Sequence, residues 1–325
     1  MRLVLPLAAL LLAGCLGQPS PSATTPQQAL AWTTLAPAPT PRTEVGAGAV
    51  GTTIYIAGGF DAGGNNVRTV EAYDTERDRW TAASDYPIPA HHVAFASDGT
   101  ALYAFGGFTT AEFIPTNLAF KFAPALGWQP LPPLPQARAA GAAALLDGKV
   151  YLFGGFGAPP LGLGVAPGQL LSRVDVFDLA AQSWSQGPDL PTPRDHLAGA
   201  ALGGRVYAVS GELGGHDKNV ATVEVLDPAT GWTKGADLPR PRGSLGAAVV
   251  GDRLLAVGGQ DPKGTFHDAD AYDSARGAWS ALPPLPTARH GLGVVAVRDT
   301  LYVLEGGPDP GQSTTAVVEA LARPR

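Results

Sequence analysis

Five arginines recur along the chain at regular distances, and the other residues that could do chemistry lie close to them in the sequence. The five are Arg42, Arg138, Arg194, Arg242 and Arg289. A guanidinium group binds a carboxylate through two parallel hydrogen bonds, so five of them around one opening would suit an acidic ligand. The same groups could instead donate hydrogen bonds to backbone carbonyls and join neighbouring turns. The sequence leaves both roles open.

The residues beside the arginines vary from one repeat to the next, which makes them better candidates for function than the residues that recur. The second repeat has Ala90 in place of arginine. For ligand binding, the candidates besides the arginines are His91, His92, His290 and Phe113. For acid–base chemistry, the candidates are Asp195, His196, Glu212 and Glu305. A buried carboxylate at Glu305 would need a cationic partner, so we expect it to face Arg289 or the arginine of an adjacent repeat.

Four histidines could in principle hold a metal ion, namely His91, His92, His196 and His290. None of their spacings along the chain resembles that of a zinc motif. No nucleophile elbow or phosphate-binding loop is visible in the sequence. We therefore predict neither a metal nor another cofactor.

Three landmarks define the repeat that positions these side chains. The tryptophans Trp32, Trp80, Trp128, Trp184, Trp232 and Trp279 are separated by gaps of 48, 48, 56, 48 and 47 residues. Sixteen residues after each arginine, or after Ala90, comes a glycine pair or its substitute: Gly58-Gly59, Gly106-Gly107, Gly154-Gly155, Ser210-Gly211, Gly258-Gly259 and Glu305-Gly306. A period of this length, built from short strand-like segments, predicts a propeller or a similar array.

Each repeat contains four segments that are typical of β-strands. In the first repeat they are "VGAGAVG" (45–51), "TIYIAGG" (53–59), "TVEAYD" (69–74) and "RWTAAS" (79–84). The first segment is rich in Gly and Ala in every repeat, which suits the innermost strand of a blade, where space is limited. The recurring acidic residues of the third segment are interpreted as structural: Glu71, Asp175, Glu224, Asp270 and Glu319.

These segments resemble kelch repeats. The resemblance rests on "YIAGGF", "YAFGGF", "YLFGGF" and "LAVGGQ", on the acidic-apolar segments "VEAYD", "VDVFD" and "VEVLD", and on the tryptophan that follows each of them. It implies an all-β fold, a six-bladed kelch β-propeller over residues 29–325. In kelch propellers that bind acidic peptides, arginines at this position meet the carboxylates of the ligand, and the resemblance implies the same for this chain.

The chain begins its first repeat with what looks like the end of one. The sixth glycine position, Glu305-Gly306, is not followed by a tryptophan before the chain ends at Arg325. Trp32, by contrast, stands before the first complete repeat. We therefore expect the strand around Trp32 to complete the last blade, which would close the ring and leave no free sheet edge.

The first 28 residues predict export and lipid anchoring. Residues 1–14 have a basic start and an apolar run too short to span a bilayer comfortably, and we interpret them as a signal peptide. The stretch "LAGC" at Leu12 to Cys15 resembles the lipobox of bacterial lipoproteins, which implies lipidation of Cys15. Residues 15–28 are uncharged and rich in Pro, Ser, Thr and Gln, as in a flexible tether. We expect the outer membrane or the cell surface rather than the inner membrane.

Composition and motifs leave two functions open. The net charge of −6 argues against nucleic-acid binding. We predict a monomeric binding module for a protein, an acidic peptide or a glycan at the channel mouth. The alternative is a carbohydrate-active enzyme resembling the kelch sialate mutarotases or epimerases, with the acid–base candidates acting on a sugar. A copper-radical oxidase is excluded, because it would need a Tyr–Cys crosslink and Cys15 is the single cysteine.

Overall fold

The structure is a computed structural model and describes residues 30–109, 113–158 and 168–322. Those residues form six antiparallel sheets of four strands each, arranged as the blades of a propeller. The prediction of an all-β, six-bladed propeller is confirmed. Nowhere in these ranges does a helix occur that is long and apolar enough to cross a lipid bilayer. The predicted signal peptide, the lipidation site Cys15 and the tether lie outside the described residues.

Within each blade the strands follow one another from the channel to the periphery. Blades one to three consist of Gly46–Val50, Thr53–Ala57, Val70–Asp74 and Arg79–Ala82; of Ala94–Ser97, Leu102–Phe105, Ala119–Ala123 and Gly127–Pro130; and of Ala142–Leu146, Lys149–Phe153, Asp175–Asp178 and Ser183–Gln186. Two short ladders lie outside these sheets: Arg138–Ala139 pairs with Phe156–Gly157, and Gln260–Asp261 pairs with Gly264–Thr265.

Blades four to six have the same order. They consist of Ala198–Leu202, Arg205–Val209, Val223–Asp227 and Gly231–Lys234; of Gly246–Val250, Arg253–Val257, Ala269–Asp273 and Ala278–Ala281; and of Gly293–Val297, Thr300–Leu304, Val318–Ala322 and, from the start of the chain, Ala31–Thr34. The small residues of the innermost strands line the central channel, as their composition predicted.

The N-terminal strand closes the ring as expected. Ala31–Thr34 pairs antiparallel with Val318–Ala322, and Trp32 lies opposite Leu321. This strand is therefore the outermost strand of blade six. The pairing joins the two ends of the chain and covers an edge that would otherwise be free to pair with another molecule.

The six tryptophans fasten each blade to the one before it. Every indole N–H donates a hydrogen bond of 2.8–3.0 Å to a backbone carbonyl of the preceding linker; the acceptors of Trp32, Trp80, Trp128, Trp184, Trp232 and Trp279 are Pro283, Ala36, Ser84, Pro132, Pro188 and Ala236. A tryptophan at a partly buried site needs such a partner for its N–H. Because Trp32 obeys the same rule, the closing strand is equivalent to the outer strands of the other blades.

Candidate functional site

The five arginines lie inside the blades and do not line the channel mouth, where the sequence analysis placed them. Their side chains are at most 2% exposed. Each one pairs with the recurring carboxylate on the third strand of its own blade: Arg42 with Glu71, Arg138 with Asp175, Arg194 with Glu224, Arg242 with Asp270 and Arg289 with Glu319. Guanidinium groups also donate to backbone carbonyls, as Arg42 does to Gly58 and Thr69. The arginines therefore stabilise the turns of the blades through buried ion pairs and hydrogen bonds.

In blade two, apolar residues replace both the arginine and its carboxylate partner. Ala90 stands where the other blades have arginine, and Phe120, opposite Ala104 on the second strand, occupies the place of the carboxylate. Both residues are buried in one apolar cluster with Tyr86. A buried ion pair can be exchanged for apolar residues of similar volume with little cost, whereas removal of one partner is expensive. Blade two lacks both partners.

Glu305 is separate from the other acid–base candidates. Its carboxylate lies 3.0 Å from the guanidinium of Arg42 in blade one, the adjacent blade's arginine, and not against Arg289. Both side chains are fully buried. Burial raises the pKa of Glu305 to about 8, although Arg42 opposes the rise. Glu305 does not line the cavity at the channel axis, to which His92 and His196 contribute.

Six structurally equivalent residues surround one end of the channel, which we call the site end. They lie two positions after each arginine or after Ala90, and they are Glu44, His92, Ala140, His196, Ser244 and Gly291. All six have φ between 47° and 57°, a left-handed conformation that costs about 1–2 kcal/mol for a residue other than glycine. The N–H groups of five of them donate to the carbonyl of the equivalent residue one blade earlier, and Val45 closes the circle with Gly291. A ring of hydrogen bonds therefore holds these side chains at the opening.

Three members of the ring meet across the channel. His92 Nε2 lies 3.1 Å from Glu44 Oε2 and 2.9 Å from His196 Nε2. Glu44 Oε1 lies 3.2 Å from His290 Nδ1, and His92 Nδ1 contacts His91 Nδ1. We call these residues, with the three described next, the histidine–carboxylate cluster.

The other side of the cluster carries two buried acids. His196 Nδ1 lies 3.5 Å from Asp195 Oδ1 and 3.8 Å from Glu212 Oε2, and Glu212 also contacts His216 Nδ1 at 2.9 Å. Asp195 and Glu212 are 1% exposed or less. Neither oxygen of Asp195 has a hydrogen-bond partner among the described residues, which is costly for a buried carboxylate. The cluster thus contains five of the six histidines of the chain.

The pKa values within the cluster diverge. Burial alone would lower the pKa of His196, but nearby Asp195, Glu212 and Glu44 raise it to about 9. Burial lowers the pKa of His92 well below its ordinary value and that of His91 to about 4. Burial would raise the pKa of Glu44, yet the neighbouring histidines hold it well below its usual value. The carboxylates thus favour the charged form of His196, whereas burial favours the neutral forms of His91 and His92.

The rim of the site end is aromatic on one side and polar on the other. The residue after the glycine pair is Phe60, Phe108 and Phe156 in blades one to three, and Glu212, Gln260 and Gly307 in blades four to six. Phe113, on the loop of blade two, has its ring 5.0 Å from that of His91 and is 46% exposed. The two sides of the rim therefore differ in chemistry.

The cavity within the site end is small. Its volume is about 120 Å³, and residues of all six blades line it. The opposite end of the channel, the far end, opens into a larger space of about 400 Å³ whose lining is mostly Ala, Val and Gly. Small-molecule sites usually measure about 300–1,000 Å³ and contain a few convergent polar groups. The site end has the polar groups but only enough room for about four water molecules.

Sequence reasoning identified His91, His92, Asp195, His196, Glu212, His290 and Phe113 as candidates, and the fold brings them together. It missed Glu44, His216 and Gln260. Glu44 could have been found, because it follows Arg42 by the same two positions by which His92 follows Ala90 and His196 follows Arg194. Gln260 could have been found as well, because it directly follows the glycine pair of blade five. His216 lies on the loop beyond Ser210-Gly211, and the repeat does not determine the course of that loop.

Comparison with known proteins identifies the repeat. The family model for the Kelch motif matches residues 41–85, 137–191 and 241–286, so the chain carries kelch repeats. It is 28% identical to Kelch-like protein terF of Aspergillus terreus over 213 residues. This alignment covers 61% of this chain and 44% of that protein. It is 31% identical over 197 residues to human Kelch domain-containing protein 8B (60% and 42%), and 28% identical over 202 residues to Beta-scruin of Limulus polyphemus (60% and 22%). The chain thus spans less than half the length of these curated relatives.

Proposed function

We propose that this chain is an exported, lipid-anchored binding module that takes a protein or peptide ligand at the site end of its channel. Kelch propellers typically serve as protein-interaction modules, and the fold and repeats found in this chain support that general role. The choice of surface is our inference from the geometry of the rim.

The observation that carries the proposal is the concentration of blade-specific residues at one end. The far end repeats the same small apolar residues from blade to blade, as a structural lining would. At the site end, equivalent positions carry different chemistry, and large apolar side chains stand exposed beside them. Phe113 is 46% exposed, Ile114 48% and Leu213 37%. Exposed aromatic and aliphatic anchors next to polar groups are typical of protein-binding surfaces.

The charges and the size of the site limit the kinds of ligand that it can bind. The five arginines are buried and paired, so they offer no free cation to an acidic peptide. The cavity of about 120 Å³ is too small to enclose a sugar in the manner of a closed catalytic pocket, which speaks against the mutarotase-like alternative. A partner that covers the rim and inserts no more than one side-chain tip fits these dimensions.

The predicted anchor precedes a strand that begins at the end of the propeller opposite the site. The outermost strand of blade six, Ala31–Thr34, runs antiparallel to Val318–Ala322 and enters from the far end, where Leu30 lies beside the turn at Gly251. A tether attached at Cys15 would therefore join the propeller at the end opposite the site end. Cys15→Ser should move the protein from the membrane to the soluble fraction, and an unchanged membrane fraction would contradict the anchor.

Site-specific photo-crosslinking in cells tests the choice of surface. A photoreactive phenylalanine analogue replaces Phe113 at the site end in one full-length protein, and Leu126, which is 70% exposed at the far end, in another. We expect a defined partner to crosslink at Phe113 and not at Leu126. Crosslinking of the same proteins from both positions, or of none at Phe113, would overturn the proposal.

A further inference from the structure

Three potential metal ligands come together in the ring although they are far apart in sequence. Glu44, His92 and His196 belong to blades one, two and four, and their spacings of 48 and 104 residues are one and two repeat lengths. The sequence did not predict a metal site, because zinc motifs are recognised by ligands that lie close together along the chain. In a propeller the repeat itself brings equivalent positions to one point on the axis.

The distances match those of ligands around one ion. Zinc binds imidazole nitrogen at about 2.0–2.1 Å, and in a tetrahedral site this places neighbouring ligand atoms about 3.3 Å apart. The corresponding separations are 2.9 Å from His92 Nε2 to His196 Nε2 and 3.1 Å from His92 Nε2 to Glu44 Oε2. All three ligand atoms lie within 4.8 Å of one another.

Each of the three ligands also has an outer partner. Glu44 is held by His290 through its other oxygen, His92 contacts His91 through Nδ1, and His196 Nδ1 faces the carboxylate of Asp195. Metal-binding histidines usually donate their second N–H to such a group, which fixes the ring and its tautomer. Asp195 is fully buried and neither of its oxygens has a hydrogen-bond partner among the described residues, so a cation bound to the other nitrogen of His196 would compensate its charge.

We propose that Glu44, His92 and His196 bind one divalent transition-metal ion at the site end of the channel. Two imidazoles and one carboxylate form a ligand set that suits zinc and its first-row neighbours better than magnesium or calcium, which prefer oxygen alone. A histidine binds a metal through a neutral ring nitrogen, so binding of the ion displaces a proton from His196 wherever its imidazole is charged. The cavity of about 120 Å³ leaves room for water on the ion. This site goes beyond the proposed protein-binding function and does not depend on it.

Metal titration of the purified chain tests the proposal. The parent is the full chain with Cys15→Ser and no histidine tag, because that substitution removes its only thiol. Zn²⁺ binding is followed by calorimetry and Co²⁺ binding by visible absorption. We expect one equivalent per chain in the parent and at least about 100-fold weaker binding in His92→Ala, His196→Ala and Glu44→Gln. His267→Ala is the matched control, since His267 lies outside the cluster, and should bind like the parent.

If these variants fold poorly, the zinc-loaded parent protein alone still tests the metal site. X-ray absorption at the zinc edge of the loaded parent should show two imidazole ligands. Absence of one-equivalent binding, a spectrum without imidazole, or unchanged affinity in folded His92→Ala and His196→Ala would overturn the metal site. None of these outcomes bears on whether a partner crosslinks at Phe113, so the two proposals fail separately.

Discussion

At the scale of single residues, the structure places two arginines of blade six in opposite environments. Arg289 and its partner Glu319 are both buried, with side chains at most 2% exposed. Arg298 pairs with Glu76 at the surface, where the side chains are 68% and 50% exposed. Removing one partner of a buried pair leaves an uncompensated charge, whereas a surface pair contributes little.

Alanine substitution should therefore separate the two arginines. Arg289→Ala should lower the free energy of unfolding by about 3–5 kcal/mol, because it strands the carboxylate of Glu319. Arg298→Ala should cost less than about 1 kcal/mol. Urea unfolding of both variants measures the difference, and equal losses would contradict the structural role assigned to the buried arginines.

Glu305 predicts a pH dependence of stability. Its pKa is raised from the model-compound value of 4.5 to about 8 by burial, so between these values the folded chain holds a proton that the unfolded chain has released. Its contribution to stability is complete below pH about 4.5 and is lost as the pH rises through about 8. Glu305→Gln keeps an oxygen that can accept from Arg42 and cannot titrate.

We expect the loss of unfolding free energy between pH 5.5 and 8 to be smaller in Glu305→Gln than in the parent by about 1 kcal/mol or more. Glu76→Gln, at an exposed carboxylate, is the control and should leave the pH dependence as it is. If Glu305→Gln and the parent lose the same stability over this range, Glu305 is already ionised in the folded chain at pH 5.5.

What the sequence could predict at this scale depends on the repeat. It identified the arginines and their carboxylates as recurring, but not that the two sets pair, because pairing requires the register between strands. It offered Arg289 or an adjacent blade's arginine as the partner of Glu305, and Arg42 is the latter. Glu44 was missed although it lies two positions after Arg42, as the candidates His92 and His196 do after Ala90 and Arg194.

At the scale of elements, the closing strand Ala31–Thr34 determines whether the ring is complete. Trp32 packs against the apolar cluster between blades five and six and donates its N–H to Pro283. Without this strand, Val318–Ala322 becomes a free edge. The sequence predicted this element well, because the sixth glycine position has no tryptophan after it, whereas Trp32 stands before the first complete repeat.

Truncation measures what the strand contributes. A chain that begins at residue 42 should melt at a much lower temperature or aggregate, since burial of one tryptophan alone stabilises by about 3 kcal/mol or more. A chain that begins at residue 29 retains the strand and should melt like the full chain. Equal melting of the two truncated chains would show that the strand does not close the ring.

At the scale of the whole molecule, the propeller divides into a uniform end and a variable end. The far end could be predicted from the small residues of the inner strands. The histidine–carboxylate cluster could not, because its members come from different blades and meet only when six sheets surround one axis. The proposed binding surface rests on the exposed apolar residues beside it, Phe113 and Ile114.

The affinity of the partner captured at Phe113 tests the central claim most directly. The dissociation constant is measured for the parent, for the double variant Phe113→Ser with Ile114→Ser, and for Leu126→Ser at the far end, which removes an even more exposed apolar side chain. The account predicts binding at least about tenfold weaker in the double variant, a loss of about 1.4 kcal/mol, and no change in Leu126→Ser. Unchanged affinity in the double variant, or an equal loss in Leu126→Ser, would contradict it.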